Sequence, residues 1–228
     1  PVELATMSFG QSFQITPLQL MRAASAVVNG GNLVTPHFGV YTTDENNNVT
    51  EVLKYETKTG AVSTATSETM KGLLEAVVAE GTGHRAYIAG YSIGGKTATS
   101  EKLPRSENRY ISSFLGFSPA DNPQVMTLIL IDEPQGIYYG GTIAAPVVGE
   151  IYDNILPYLG IEPSYTAEEL VGADKTVPNV VGLSKDAAAE RLSANGFSFR
   201  TVGSGDTVTD QTPAGGAIVP NSAEIILY

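Results

Sequence analysis

Apolar residues recur every three or four positions in three stretches of the first 160 residues, and this spacing predicts three helices. The first begins at Thr16-Pro17, a capping residue followed by a proline at the first helical position. The second is predicted to be capped by Ser67 or Thr66, and the third by Thr142. The apolar faces of the second and third helices are formed by Met70, Leu73, Leu74, Val77 and Val78, and by Val147, Val148, Ile151, Ile155 and Leu156.

Alternating and β-branched stretches predict strands around these helices. Residues 32–56 form a predicted hairpin, and Tyr110–Pro119 with Gln124–Asp132 form a second, antiparallel one. We expect the strands within 33–56 and 88–132 to form one antiparallel sheet. The first and third helices are expected to pack on it, which is an α+β fold.

A change in composition divides the chain into three parts. Residues 1–160 form the first predicted domain, and the polar, proline-containing stretch 161–175 is the predicted linker. Residues 176–228 form a small βαββ unit. In it, VPNVVG is a predicted strand, Ser184 caps a helix that Gly196 closes, FSFRTVGSG is a strand, and one or two strands follow.

Composition narrows the possible functions. The chain is 42% hydrophobic, which supports packed cores, and its net charge of −11 argues against nucleic acid as a partner. It has no cysteine, and its two histidines, His37 and His84, lack carboxylates at ligand spacing, so we expect no metal and no cofactor. The first residues, PVELATMSFG, suggest a piece of a longer protein.

The stretch GYSIGGKTATS at Gly90–Ser100 fits more than one kind of site. Its letters match the phosphate loop G-x-x-x-x-G-K-[ST], and the apolar run 126–132 ends in Asp132, as a magnesium-holding strand would. A phosphate loop requires a helix that begins at the Lys-Thr pair, whereas the residues that follow show no helical stripe and include Pro104. A glycine-rich turn into a strand without any chemistry is a further alternative.

We predict that Lys96–Thr99 is an edge strand. Thr97 and Thr99 then share one face, while Lys96 and Ala98 face the other side or the edge. An amine, two hydroxyls and an unpaired N–H within about 10 Å of chain can hold a carboxylate and an oxyanion together. An acyl-transfer enzyme needs such an arrangement beside its nucleophile.

The segment Lys96-Thr97-Ala98-Thr99 after Gly94-Gly95 resembles the Lys-Thr-Gly-Thr box of the serine acyl-transfer enzymes that bind penicillin. Further segments follow the order of class B penicillin-binding proteins: FGQSFQITPLQL, GGNLVTPH, VVAEGTGHRA, SFLGFSPADNPQVMTLILIDEP and GGTIAAPVVGEI. VPNVVGLSKDAAAERLSANGF and QTPAGGAIVPNSAEIIL resemble a PASTA domain. A single such unit after the transpeptidase is similar to the sporulation-type members of the family.

The resemblance implies a role for each residue of the box. Lys96 would support the hydrogen-bond network and attract the substrate carboxylate, which the hydroxyls of Thr97 and Thr99 would hold. The Thr99 N–H would be an oxyanion-hole donor, worth roughly 3–4 kcal/mol in acyl-transfer enzymes. Gly95 and Ala98 would complete the substrate-binding set. Ala98 departs from the family's glycine, and its methyl group narrows a place of close approach.

The nucleophile that the resemblance implies is missing from this sequence. In the family it is the serine of Ser-x-x-Lys, and no serine here has a lysine three positions later; Ser67 and Ser92 have one at four. A Ser-x-Asn motif should precede the box, but the matches at 106–108 and 193–195 both follow it. We therefore expect the nucleophile, and the family's N-terminal transmembrane anchor, to lie before residue 1. The chain alone is expected to be inactive.

The parent protein implied by the resemblance is an extracytoplasmic, cell-surface D,D-transpeptidase. It would act on peptidoglycan stem peptides that end in D-Ala-D-Ala and would bind β-lactam antibiotics, and the missing N-terminal half would complete the site. The alternative is a non-catalytic wall-binding module that acts through its PASTA-like unit. Saturable muropeptide binding by residues 174–228 would favour that alternative.

Overall fold

The computed structural model describes residues 2–8, 10, 13–170, 175–220 and 222–228. These residues form two compact units, the first running through Tyr87 and continuing with Ser92–Glu150, and the second comprising Ile88–Tyr91 and Ile151–Tyr228. Outside the described residues lie position 1, positions 9, 11 and 12 of the segment FGQSFQITPLQL, positions 171–174 of the predicted linker, and position 221. Within the described part, no helix combines the length and apolar character that crossing a membrane requires.

The helices of the first unit are α1 (Val2–Met7), α2 (Pro17–Val28), α3 (Thr64–Ala79), α4 (Gly140–Ile143) and α5 (Ala145–Tyr158), which continues into the second unit. The start of α2 is confirmed as a capping box. The Thr16 hydroxyl accepts the N–H of Gln19 at 3.2 Å, and the Gln19 side chain accepts the N–H of Thr16 at 3.1 Å.

The predicted caps of the other two helices were wrong. α3 begins one turn earlier than expected, because Ser63 accepts the N–H of Thr66 at 3.0 Å. Ser67 is instead buried within α3, where its hydroxyl accepts the N–H of Gly30 at 2.9 Å. Thr142 lies inside α4 and does not cap α5.

The central sheet of the first unit is antiparallel, in the order β3 (Gly94–Glu101), β4 (Tyr110–Ser118) and β5 (Val125–Asp132). The two predicted hairpins are both present. However, β1 (Tyr41–Thr43) and β2 (Val49–Val52) form a separate two-stranded sheet, so the expected single sheet was wrong. Both of these strands are exposed along their whole length and offer no apolar face that could extend the central sheet.

Helices pack on the central sheet around two buried phenylalanines of β4. α2 and α3 contribute Val28, Val27 and Leu74 to a cluster around Phe117. α3 also packs along β3, a contact that we had not predicted. A Cβ atom on Gly94 would lie 2.2 Å from the Phe117 ring, and one on Gly95 would lie 2.4 Å from the Phe114 ring. Because the two glycines have no side chain, the rings of Phe117 and Phe114 can lie directly against the backbone of β3.

Besides the end of α5, the described part of the second unit contains one further helix, a three-stranded mixed sheet and a separate two-stranded sheet. Its elements are β6 (Lys175–Thr176), α6 (Lys185–Ala194), β7 (Ser198–Thr201), β8 (Gln211–Thr212), β9 (Ile218–Val219) and β10 (Glu224–Leu227). β10 lies between β7, to which it is parallel, and β8, to which it is antiparallel, while β6 pairs with β9.

Three details of the second unit test the sequence predictions. Ser184 caps α6 as expected, with the Ala187 N–H 3.3 Å from its hydroxyl. VPNVVG is not a strand; Val177 and Val180 are buried in the core, and the Val180 N–H bonds to Gln211 at 2.7 Å. Three short strands follow β7 instead of one or two, because the last segment is broken by turns.

Part of the predicted linker packs on the turn Ile88–Tyr91. The Ser164 N–H donates to the Gly90 carbonyl at 2.7 Å, and the Gly90 N–H donates to Glu169 at 2.9 Å. Gly90 has a φ of +81°, and a Cβ atom there would lie 2.7 Å from Pro163. Gly90 therefore serves a turn of the second unit.

A carboxylate with two cationic partners ties the loop between β3 and β4 to the end of β5. Glu133 accepts hydrogen bonds from Lys102 at 2.6 Å and from Arg109 at 2.7 Å, and these bonds lower the pKa of Glu133. A lowered carboxyl pKa stabilises the fold above the unfolded pKa, and this stabilisation is lost as the pH falls through the folded value.

We expect Glu133→Gln to lower the melting temperature at neutral pH. The difference from the unaltered chain should shrink as the pH falls below the unfolded pKa of the carboxyl and through its lowered folded pKa, because the carboxyl then becomes protonated in both states. Thermal unfolding at several pH values measures this. A difference that does not depend on pH would show that the charge of Glu133 does not stabilise the fold.

Candidate functional site

The residues of the Lys-Thr box lie in an edge strand. Lys96–Thr99 is extended within β3, and in the described part of the chain β3 pairs only with β4. This confirms the predicted strand. The phosphate-loop interpretation is wrong, because no helix begins at Lys96 and the strand continues to Glu101. Asp132 is 2.9 Å from the amine of Lys102 and so forms an ion pair at the end of the sheet.

The register of β3 decides which backbone groups face outward. One residue beyond its end, the Lys102 N–H donates to the Arg109 carbonyl at 2.8 Å. In an antiparallel pair such bonds recur at every second residue, so Thr97 and Thr99 direct their N–H and C=O groups away from β4. The Lys96 amine accordingly reaches the outward carbonyl of Thr97 at 2.7 Å. The Thr99 N–H is directed at the open edge of the sheet.

The edge of β3 forms one wall of an open pocket of about 580 Å³. Three segments that are distant in sequence meet there: the loop after α3, β3, and the residues at the start of α4. The lining residues are Gly81, Thr82, His84, Arg85, Thr97, Ala98, Thr99, Tyr139, Gly140, Gly141 and Thr142.

Three of the five predicted site residues therefore meet in this pocket, namely Thr97, Ala98 and Thr99. Gly95 is buried beneath the Phe114 ring, and the Lys96 side chain is exposed outside the lining. The other two walls were not predicted as site residues. Their signals in the sequence were the glycines of GTGHRA and GGTIAAP, which flank apolar helical stretches.

The hydroxyl oxygens of Thr97 and Thr99 lie within hydrogen-bonding distance of other polar groups in the pocket. The Gly140 N–H donates to the Thr99 hydroxyl oxygen at 3.2 Å, and the Thr82 and Thr97 hydroxyl oxygens are 3.1 Å apart. A hydroxyl that accepts a hydrogen bond retains its own proton for donation. Thr99 can therefore donate from its hydroxyl while its backbone N–H faces the open edge.

The charge of the lining residues also favours an anionic ligand. Arg85 carries a positive charge there, and no carboxylate is among the described lining residues, although the chain carries a net charge of −11. The His84 Nδ1 lies 2.9 Å from the Ala79 carbonyl and donates to it, and Arg85 donates to the Thr142 carbonyl at 3.4 Å. These hydrogen-bond donors and the Arg85 guanidinium suit an anion. No group of three metal-ligating side chains converges anywhere in the described residues.

Paired glycines bring α4 against β3. A Cβ atom on Gly140 would lie 2.3 Å from the carbonyl oxygens of both Ala98 and Ser113, and one on Gly141 would lie 2.4 Å from the Thr82 carbonyl oxygen. A side chain at Gly140 would force α4 away from the sheet, and one at Gly141 would force it away from the loop that carries Thr82. The close approach lets the Gly140 N–H reach Thr99.

Comparisons with known proteins match both units. Residues 2–153 match the family described as the penicillin binding protein transpeptidase domain, and residues 175–228 match the PASTA domain. Stage V sporulation protein D of Bacillus subtilis is 41% identical over the whole chain, which covers 36% of that protein. The probable peptidoglycan D,D-transpeptidase PenA of Neisseria flavescens is 34% identical over 72% of the chain and 39% of PenA. The chain thus spans little more than a third of these relatives.

A solved structure matches in the same way. The structure of penicillin binding protein 3 from Mycobacterium tuberculosis, complexed with ampicillin, superposes with a TM-score of 0.64 at 28% sequence identity. The match covers 72% of this chain and 39% of the other.

Proposed function

Because the chain belongs to the penicillin-binding protein transpeptidase family and carries a PASTA domain, we propose that it contributes the carboxylate-binding and oxyanion-binding side of a peptidoglycan D,D-transpeptidase site. The observation that supports this most directly is the outward-facing edge of Thr97–Thr99, within a pocket lined by hydrogen-bond donors and the Arg85 guanidinium. The acyl donor is a stem peptide that ends in D-Ala-D-Ala.

The residues of β3 have distinct roles in this proposal. The terminal carboxylate of the peptide accepts hydrogen bonds from the hydroxyls of Thr97 and Thr99. The carbonyl oxygen under attack accepts the outward N–H of Thr99 as it becomes an oxyanion, an interaction worth roughly 3–4 kcal/mol in acyl-transfer enzymes. The Lys96 amine supplies positive charge to the hydrogen-bond network of the nucleophile.

The chemical steps require a serine from a Ser-x-x-Lys segment outside this sequence. Its hydroxyl gives up a proton as the oxygen attacks the carbonyl carbon of the penultimate D-alanine, and the C–N bond to the last D-alanine breaks as that nitrogen takes up a proton. An amine of a neighbouring stem peptide then attacks the ester carbonyl carbon to form a new amide, the C–O bond to the serine breaks, and the proton lost by the amine returns to the serine oxygen. β-Lactam antibiotics, which carry a carboxylate beside a reactive carbonyl, enter the same site.

The alanine at position 98 is compatible with this role. Ala98 is exposed at the pocket, and its backbone is hydrogen-bonded to β4 by the alternation of the ladder. Its methyl group thus takes up space in an open pocket of about 580 Å³ without altering the register of the strand.

We place the parent protein at the extracytoplasmic cell surface, where its substrate lies, with an anchor helix preceding this sequence.

Covalent labelling with a fluorescent penicillin tests the proposal. We expect no labelling of residues 1–228, because no serine of this sequence stands three residues before a lysine. The longer protein that includes the upstream Ser-x-x-Lys should be labelled, and replacing that serine by alanine should abolish the label. Labelling of residues 1–228, or an unlabelled longer protein, would overturn the assignment.

A further inference from the structure

We propose that Thr82 is a positioning residue that directs the hydroxyl proton of Thr97 towards the substrate carboxylate, an inference that rests on the proposed function. The two hydroxyl oxygens are 3.1 Å apart, within hydrogen-bonding distance. Both residues line the pocket, although they belong to different segments that are 15 positions apart.

The loop that carries Thr82 is held on several sides. The Gly83 N–H donates to the Val77 carbonyl at 2.9 Å, which ties the loop to the end of α3. A Cβ atom on Gly83 would lie 3.1 Å from the buried Phe114 ring, and one on Gly141 would lie 2.4 Å from the Thr82 carbonyl oxygen. The backbone of Thr82 is therefore fixed relative to β3, so its hydroxyl meets Thr97 in one geometry.

The direction of the hydrogen bond decides what Thr97 offers to a ligand. If Thr97 donates to Thr82, it presents only lone pairs to the pocket, and these repel a carboxylate. If Thr82 donates to Thr97, the Thr97 proton is free for the ligand, and the two hydroxyls polarise each other. A bound carboxylate selects the second arrangement. Gly140 plays the matching part for Thr99, since its N–H can only donate.

In this arrangement Thr82 donates to Thr97 and Thr97 donates to the ligand, so the two hydroxyls together favour a negatively charged oxygen. Hydrogen bonds to charged acceptors are stronger than those to neutral acceptors, so the loss of Thr82 should weaken recognition of a carboxylate more than recognition of an ester. A merely structural role for Thr82 would change both by the same factor.

The test compares Thr82→Val, which keeps the branched shape without a donor, with Thr82→Ser, which keeps the hydroxyl. In the longer protein we expect Thr82→Val to slow acylation by benzylpenicillin about 5- to 10-fold, the size of one net hydrogen bond. Thr82→Ser should stay within about 2-fold of the unaltered protein. The methyl ester of benzylpenicillin, which lacks the charge, should react with all three proteins at rates within about 2-fold.

A double-mutant cycle with Thr97→Val makes the test independent of folding losses. Once Thr97 has no hydroxyl, Thr82→Val should have no further effect on acylation. Multiplicative effects of the two substitutions, equal rates for Thr82→Val and the unaltered protein, or equal losses for penicillin and its ester would each overturn this inference alone. An unaltered longer protein that does not react with penicillin would instead overturn the proposed function, and this inference with it.

Discussion

Gly140→Ala is expected to slow β-lactam acylation of the longer protein by about 100-fold, the loss that a misplacement of roughly 1 Å causes in a catalytic site. The added Cβ atom would lie 2.3 Å from the carbonyl oxygens of Ala98 and Ser113, and 3.0 Å from the Ser113 nitrogen. These are backbone atoms of two paired strands, which cannot rotate aside as a flexible side chain would. α4 must therefore move outward.

The movement affects the donors of the pocket directly. The Gly140 N–H would withdraw from the Thr99 hydroxyl, to which it now donates at 3.2 Å. Thr99 then loses the contact that leaves its proton free for the substrate carboxylate. Overpacking of this kind also costs about 1–3 kcal/mol of stability, so melting temperature and acylation rate should fall together.

The matched control is another glycine-to-alanine change in the same unit. Gly72 lies in the exposed middle of α3, where an added Cβ atom would have no heavy atom within 4 Å. Gly72→Ala should leave acylation unchanged and stabilise the fold by about 0.5–1 kcal/mol, because glycine is a poor helix former. The argument fails if Gly140→Ala reacts with penicillin as fast as the Gly72→Ala control.

Phe114→Ala is expected to lower the free energy of unfolding by about 3–5 kcal/mol. The Phe114 side chain is fully buried in β4, and its ring lies close to both Gly83 and Gly95. The ring thus packs beneath two walls of the pocket, namely the loop after α3 and the edge strand β3. A cavity there would loosen both walls and would remove much of the 5–15 kcal/mol that a typical domain has.

Urea unfolding of the purified chain measures this effect. The control is Phe38→Ala, since Phe38 is fully exposed and should change stability by no more than about 0.5 kcal/mol. The two substitutions remove the same atoms, so their difference isolates burial. A loss below about 1 kcal/mol at Phe114 would show that the first unit does not depend on this ring.

Local features of the chain were predictable because their signals lie within short stretches of sequence. The Thr16-Pro17 start of α2, the hairpin of β4 and β5, and the extended Lys96–Thr99 all follow from capping, turn chemistry and β-branched spacing. The errors arose where a contact between residues distant in sequence determined the position of a side chain. Ser67 has the chemistry of a cap, yet it accepts the N–H of Gly30, 37 residues away, inside α3.

The α+β class, the strand that carries Thr97 and Thr99, and the order of motifs from which the family could be inferred all follow from the amino-acid sequence. The three-dimensional packing was needed to show that Thr82 and Gly140 reach those two threonines, and that Gly95 lies under an aromatic ring while Lys96 lies outside the pocket. The physical reason is that periodicity reports which face of an element a residue occupies. The pocket depends on how closely three separate elements approach, and that distance is set by packing of backbone atoms across glycines that are far apart in the chain.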